Sequence, residues 1–110
     1  MKRTLTIAAL VALALSPAAW AGGDAAAGKA KAAQVCAACH GPEGNKPSAP
    51  DQPILAGQYP DYLVKALSDY KSGKRSNPIM KGFAATLSDK DIEDIAAWFS
   101  SQSSGLHSTR

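Results

Sequence analysis

The sequence has few of the residues that build covalent cross-links or metal centres. Its 110 residues include two cysteines, two histidines and two methionines, and only 6% of them are aromatic. Two cysteines can form one disulfide at most, so the chain is not a disulfide-rich scaffold. A closed zinc site needs four ligands and would have to recruit every cysteine and histidine, including His107 near the C-terminus. This scarcity disfavours a structural zinc site.

The N-terminal part of the chain has no apolar run long enough to span a bilayer. The run Ile7–Leu15 has nine residues, whereas a membrane-spanning helix needs about 20. Lys2 and Arg3 precede this run, and residues 19–21 (AWA) follow it as an A-x-A cleavage pattern. We therefore predict a signal peptide over residues 1–21, cleaved near Ala21, and a periplasmic protein. An uncleaved membrane anchor is the alternative.

Charge of one sign is not in large excess. The formal net charge of +3 falls to +1 when Lys2 and Arg3 are removed with the signal peptide. No cluster of basic residues then remains that would indicate a nucleic acid or an anionic membrane as partner. The remaining residues suffice for one small domain, and domains of this size commonly need a disulfide, a metal or a cofactor for stability.

Three segments have the sequence pattern of helices. The alanine-rich stretch predicted as a helix over Ala25–Ala38 follows Asp24, a residue type that caps helix N-termini. Residues 60–73 begin with proline, end with glycine and carry apolar residues at i, i+3 and i+4 spacing. The third helix is predicted after Ser88, which can form a capping box with Asp91.

The segments between these helices are predicted as loops. Residues 41–53 and 73–86 contain several prolines and glycines, which interrupt regular structure. The last helix is expected to end near Gln102, and the serine-rich residues 103–110 to form a flexible tail. No segment alternates polar and apolar residues as a half-buried strand does. We therefore predict an all-α domain over residues 22–102.

Both cysteines and one histidine lie within five positions, in the stretch CAACHGPEGN that begins at residue 36. At i, i+3 and i+4 spacing, Cys36, Cys39 and His40 project from one face of a helical turn. Two thiols and an imidazole can therefore meet a single flat ligand. The spacing C-x-x-C-H is the attachment signature of c-type haem, in which the cysteines form thioether bonds and the histidine binds the iron.

Two other interpretations of the cysteine pair account for fewer of its features. A thioredoxin-like redox pair requires a βαβ context, which the predicted helix and loop do not provide. A structural disulfide between Cys36 and Cys39 would close a very short loop and stabilise the chain weakly. Neither alternative explains why His40 follows immediately.

Met80 is the single methionine after the signal peptide, and it falls in the predicted loop, within NPIMKG. A methionine commonly fills irregular space in a core. Downstream of a haem motif, in a loop bounded by proline and glycine, we expect it to be the second axial iron ligand. With both axial positions filled, the iron has no site for a substrate, which predicts electron transfer. A haem enzyme or gas sensor with an open sixth position is the alternative.

Three stretches of the chain resemble class I cytochromes c, in particular the single-haem domains of cytochrome c4 and the small cytochromes c553. These stretches are residues 23–45, 53–80 and 87–99. The resemblance implies a small cytochrome c fold, with three main helices and long loops wrapped around one covalently attached haem c. Cytochrome c4 carries two such domains, whereas this chain has one motif.

The resemblance also implies roles for individual residues. Cys36 and Cys39 would hold the haem covalently, and His40 and Met80 would be the axial iron ligands. The Pro53 carbonyl would accept a hydrogen bond from the other nitrogen of the histidine ring. In addition, Gly28 would let the first helix cross the last helix closely, over Ile95 and Trp98. Lys74 and Arg75 in the second loop could hydrogen-bond a haem carboxylate, but we expect them to be a pair of solvated charges.

The predicted function is that of a periplasmic carrier of single electrons, and not of an enzyme. Its partners would be redox proteins such as a quinol-oxidising complex, a terminal oxidase or reductase, or a periplasmic dehydrogenase. Contacts with membrane proteins would be transient, because electron carriers use small interfaces that release quickly. We expect a monomer that does not bind nucleic acid.

Overall fold

The computed structural model describes residues 22–103, and every regular element within this range is a helix. The predicted signal peptide, His107 and all of the predicted tail except residue 103 lie outside the described residues. No helix between residues 22 and 103 is long and apolar enough to cross a membrane. The prediction of an all-α domain is confirmed. The helices are α1 (Ala25–Val35), α2 (Ala37–His40), α3 (Pro60–Ser72), α4 (Pro78–Ala84) and α5 (Asp89–Ser100).

The first helix begins where the sequence predicts but ends earlier. The Asp24 carboxylate accepts hydrogen bonds from the backbone N–H groups of Ala26 and Ala27, at 2.9 and 3.3 Å. The helix was predicted to run unbroken to Ala38, and this is wrong at Cys36, where φ is −116° and α1 gives way to α2. The break is slight, because the Cys36 N–H still donates to the Ala32 carbonyl at 2.8 Å.

The other two predicted helices begin where expected, and α5 ends at Ser100, two residues before the predicted end near Gln102. Helix α3 begins at Pro60 and stops at Gly73, which adopts the left-handed conformation (φ 85°) that glycine tolerates best. Before α5, the Ser88 hydroxyl accepts from the Asp91 N–H and the Asp91 carboxylate accepts from the Ser88 N–H, each at 3.0 Å. Both hydrogen bonds of the predicted capping box are therefore present.

The second predicted loop, residues 73–86, contains the short helix α4, so its assignment as loop throughout was wrong. The Asn77 side chain accepts hydrogen bonds from the N–H groups of Ile79 and Met80, at 3.0 and 3.1 Å. Pro78 occupies the first helical position, where its missing N–H costs nothing. The Asn-Pro pair acts here as a helix start instead of a turn, and it places Met80 on a helix.

The hydrophobic core lies where α5 meets α1 and α3. Helix α5 contributes most of the buried side chains, since one of its faces is apolar along its length. Helix α4 packs against α3. The buried cluster comprises Ala32, Leu63, Leu87, Ile92, Ile95, Ala96 and Phe99.

Helices α1 and α5 cross in backbone contact at Gly28. A Cβ atom at this position would overlap the Asp94 carbonyl group and lie 3.0 Å from the Ile95 nitrogen.

The buried Asp94 carboxylate accepts from the Asp24 N–H at 2.8 Å and from the Lys90 ammonium at 2.6 Å. Burial alone would raise the pKa of Asp94, but these two bonds hold the pKa below its usual value.

Candidate functional site

An apolar crevice of about 420 Å3 brings together all four residues that the sequence predicts as site residues. Cys36, Cys39 and His40 enter its lining from the junction of α1 and α2, and Met80 enters from α4. Much of the remaining lining comes from α3 and from core residues such as Phe99. The volume lies within the range of about 300–1,000 Å3 that is typical of ligand and cofactor pockets.

The C-x-x-C-H turn retains helical spacing despite the break at its first residue. The Cys36 carbonyl accepts hydrogen bonds from the N–H groups of Cys39 and His40, at 3.3 and 3.0 Å. Gly41 ends the turn with φ 87°, and its N–H donates to the Ala37 carbonyl at 2.9 Å. The two thiols and the imidazole therefore come from one short helical turn beside the crevice.

His40 is 5% exposed, and its ring is held by a backbone acceptor. Nδ1 lies 2.9 Å from the Pro53 carbonyl oxygen, the contact expected from the sequence. A carbonyl oxygen can only accept, so Nδ1 carries the hydrogen in this bond. In the neutral ring Nε2 then has a free lone pair, which is the state required of a metal ligand.

Contacts with Trp98 and Phe99 fix the loop that carries Pro53 to α5. The Trp98 indole N–H donates to the Pro42 carbonyl at 3.0 Å. Gly44 adopts φ 78°, and a Cβ atom there would lie 2.7 Å from the Phe99 ring. Its carbonyl accepts from the Leu55 N–H at 2.7 Å, which closes the loop. These contacts determine where the acceptor for His40 is placed.

No disulfide joins Cys36 and Cys39, and both side chains are partly buried. Burial, with the neighbouring Cys39 as a second cause, raises the pKa of Cys36 to about 11. Thiol redox enzymes require the opposite shift, because the thiolate is the reactive species. Among residues 22–103 no three His, Cys, Asp or Glu side chains are grouped to hold a metal ion. The thiol-redox alternative therefore gains no support.

The lining of the crevice fits a haem group. Its walls are predominantly apolar, and the polar atoms that converge on it include two thiols, an imidazole and a methionine thioether. Thiols can form covalent links to the haem edge, and imidazole and thioether are axial ligands of haem iron in cytochromes c. Met80 itself is half-buried.

Two features near the site were not predicted from the sequence. The Asn77 cap that places Met80 on a helix has a signal, the Asn-Pro pair, that also fits a turn. Arg75 is exposed, as expected of a solvated loop charge. Its contacts with Tyr62 and Tyr70, which line the crevice with it, were not predicted.

An all-α domain with a C-x-x-C-H turn and a methionine lining one apolar crevice is typical of c-type cytochromes. The chain belongs to the c-type cytochrome family described as cytochrome C oxidase, cbb3-type, subunit III, whose family model matches residues 23–99. Membership of this family implies a covalently attached haem c with iron. The predicted resemblance to class I cytochromes c is confirmed.

Individual relatives differ in how much of their length the chain covers. It is 54% identical over 98 residues to cytochrome c4 from Pseudomonas aeruginosa, covering 89% of this chain and 48% of that protein. It is 46% identical over 83 residues to cytochrome c-554(548) from Halomonas halodenitrificans, covering 73% of this chain and 98% of that protein. The crystal structure of reduced cytochrome c4 from Pseudomonas stutzeri matches with a TM-score of 0.68 and 50% identity, over 74% of this chain and 46% of that one. The chain thus spans about half the length of the cytochromes c4.

Proposed function

We propose that the protein is a periplasmic carrier of single electrons, with one haem c held in the crevice. The observation that carries the proposal is the convergence of Cys36, Cys39, His40 and Met80 on a single apolar cavity. The cysteines would form the thioether bonds, and His40 Nε2 and the Met80 sulfur would occupy the two axial positions. Family membership supports the cofactor, and the length of the Halomonas relative supports a protein with a single domain of this kind.

The residues of the crevice suit electron transfer better than catalysis at a metal. When bound, haem supplies an iron that gains and loses one electron. The Pro53 carbonyl fixes the His40 ring, so this ligand does not have to reorient when the charge changes. The soft thioether of Met80 favours the reduced state and raises the potential. Apolar side chains, among them Leu63 and Phe99, exclude water from the site.

Partners of this function are periplasmic redox proteins. A relative from Stutzerimonas stutzeri is named thiosulfate dehydrogenase electron acceptor and is 47% identical over 66 residues, which are 60% of this chain. By analogy, this protein would accept electrons from a dehydrogenase or a quinol-oxidising complex and pass them to an oxidase or reductase. Such exchange requires a small interface that dissociates quickly. The periplasmic location rests on the signal peptide predicted over residues 1–21, with the cytochrome domain over residues 22–102.

The test is optical spectroscopy of the purified protein, oxidised and reduced, combined with haem detection after denaturation. Wild type should keep its haem after denaturation, and its ferric form should show the weak far-red charge-transfer band of methionine ligation. Met80→Ala should lose this band and keep the covalent haem. Ile79→Ala, on the same helix and also in the crevice lining, should retain the band and serves as the control.

The same spectra identify the alternatives. Covalent haem without the methionine band in wild type would indicate an open sixth position, as in a haem enzyme or gas sensor. Absence of covalent haem from protein matured in the periplasm would indicate that Cys36 and Cys39 act as a thiol redox pair. Either result would refute the proposed carrier.

A further inference from the structure

We propose that Gln52 is a positioning residue of the crevice: its side chain holds the loop that presents the Pro53 carbonyl to His40, and it thereby tunes the potential of the iron. This inference rests on the proposed haem site. Gln52 is half-buried and lines the crevice directly before Pro53 in the chain. Prolines occupy positions 47, 50 and 53 and have no N–H to donate, so the backbone has fewer donors with which to fix this stretch.

One oxygen of the Gln52 side chain accepts three hydrogen bonds from the start of this loop. Its Oε1 lies 2.9 Å from the Ser48 nitrogen, 2.8 Å from the Ser48 hydroxyl oxygen and 3.1 Å from the Ala49 nitrogen. In addition, the Gln52 N–H donates to the Ala49 carbonyl at 3.1 Å. This side chain therefore closes residues 48–52 into a turn, and Pro53 follows at the end of that turn.

The turn is hydrogen-bonded at both ends to the C-x-x-C-H segment. At one end the Ser48 N–H also donates to the Cys39 carbonyl, at 2.9 Å. At the other end the Pro53 carbonyl accepts from His40 Nδ1, at 2.9 Å. Cys39 and His40 are adjacent, so these contacts form a closed ring. Within the ring, the Gln52 side chain links Ser48 to the residue before Pro53, and its loss should let the Pro53 carbonyl move relative to the imidazole.

The Pro53 carbonyl can change the potential because of what its hydrogen bond does to the His40 ring. A good acceptor at Nδ1–H raises the basicity of Nε2, and a more basic ligand stabilises the ferric over the ferrous state. A longer or bent bond therefore raises the potential. Entry of water through a loosened crevice would lower it, since solvent stabilises the more highly charged ferric iron. The sign of the change thus distinguishes a positioning role from a simple loss of packing.

The experiment is a measurement of the midpoint potential of the holoproteins of wild type, Gln52→Ala and Gln58→Ala. Gln58 is the matched control, because it is a half-buried glutamine in the same crevice lining whose Oε1 accepts from the N–H of the next residue, Tyr59, at 2.9 Å. Loss of a group that hydrogen-bonds a metal ligand directly changes affinity or activity by about 10–100-fold, and Gln52 acts one step further out.

We expect Gln52→Ala to raise the equilibrium constant of reduction about two- to tenfold, a rise of about 20–60 mV, since tenfold is about 59 mV for one electron. Gln58→Ala should keep the wild-type potential. An unchanged or lower potential in Gln52→Ala, or an equal rise in both variants, would overturn the inference.

A second measurement reports the hydrogen bond itself. In NMR spectra of the reduced holoprotein, the His40 Nδ1 hydrogen should exchange with solvent about two- to tenfold faster in Gln52→Ala, the range for loss of ordinary hydrogen bonds. Gln52→Glu keeps an oxygen acceptor at this position and should retain the slow wild-type exchange. Exchange in Gln52→Glu as fast as in Gln52→Ala would show that the acceptor does not hold the loop, and would contradict the proposal.

Spectra of the same samples separate this inference from the proposed function. Wild type without covalent haem refutes the carrier and this inference with it, whereas an intact methionine-ligated spectrum with an unmoved potential in Gln52→Ala refutes only the role of Gln52. If Gln52→Ala does not retain haem, Ser48→Ala replaces it as the test. That variant removes one of the three bonds to Oε1 and should raise the potential by a smaller amount, and an unmoved potential there also overturns the inference.

Discussion

Replacing Gly28 with alanine is expected to destabilise the protein, because α1 and α5 cross there with no side chain between them. The new methyl group would overlap the Asp94 carbonyl and approach the Ile95 nitrogen. Both obstacles are backbone atoms in the middle of a helix, so neither can rotate away as a flexible side chain could. The helices must separate, and the core residues between them lose contacts.

The size of the effect follows from two opposing contributions. Alanine is favoured over glycine inside a helix by about 1 kcal/mol. Inserting a methyl group into a packed contact costs about 1–3 kcal/mol, and more where the backbone has to shift. We expect the second contribution to prevail and leave a net loss of about 2 kcal/mol. For a domain of this size, such a loss lowers the melting temperature by about 8–16 °C.

Gly82 provides a matched control for this experiment. It also lies inside a helix, α4, but a Cβ atom there would meet no atom within 4 Å. Gly82→Ala should therefore show only the gain in helix propensity and a small rise in melting temperature. The measurement is thermal unfolding of the holoproteins, followed by circular dichroism. If Gly28→Ala melts at or above the temperature of Gly82→Ala, the close crossing is not a constraint and the argument is wrong.

Three further predictions concern folding, acid stability and association. The double variant Cys36→Ala and Cys39→Ala, prepared without haem, should be largely unfolded, and a cooperative thermal transition would contradict this. The pKa of Asp94 is lower in the folded protein than its usual value of 3.8. The ionised carboxylate therefore stabilises the fold above pH 3.8, and this stabilisation is lost as the pH falls through the folded pKa. Asp94→Asn should lower the free energy of unfolding by about 1–2 kcal/mol at neutral pH, because the hydrogen bond from Lys90 then has an uncharged acceptor. The loss should be smaller in acid. Equal losses in chemical denaturation at both pH values would refute this. Electron transfer with redox proteins should depend weakly on ionic strength. If residues 1–21 are cleaved as predicted, two haem carboxylates would bring the net charge from +1 to about −1, which gives little long-range attraction. A steep fall in rate with added salt would argue against this.

Much of the helical framework could be predicted because its signals are local. The Asp24 cap, the start at Pro60, the stop at Gly73 and the Ser88 capping box each depend on residues within four positions of one another. The C-x-x-C-H spacing is equally local and determines which side chains share a turn.

Other features depend on contacts that the sequence does not reveal. Asn77 and Pro78 fit both a turn and a helix start, and the packing of α4 on α3 selects the helix. The position of Arg75 depends on two tyrosines that lie 13 and 5 residues before it. The break at Cys36 is also not encoded by a proline or a glycine. Local sequence propensity does not determine the structure at these positions, so it depends on tertiary contacts.

The ligand set also suggests why a haem would complete the fold. His40 is the last residue of α2, which directly follows α1, and α1 packs on α5. Met80 belongs to α4, which packs on α3. The two sides of the crevice are thus connected mainly through the packing of α3 on α5. A group bonded to Cys36, Cys39, His40 and Met80 would join the sides directly and fill the apolar space between them. On this argument, haem binding and folding are one coupled equilibrium, because the residues that would ligate the iron are also the ones that close the domain.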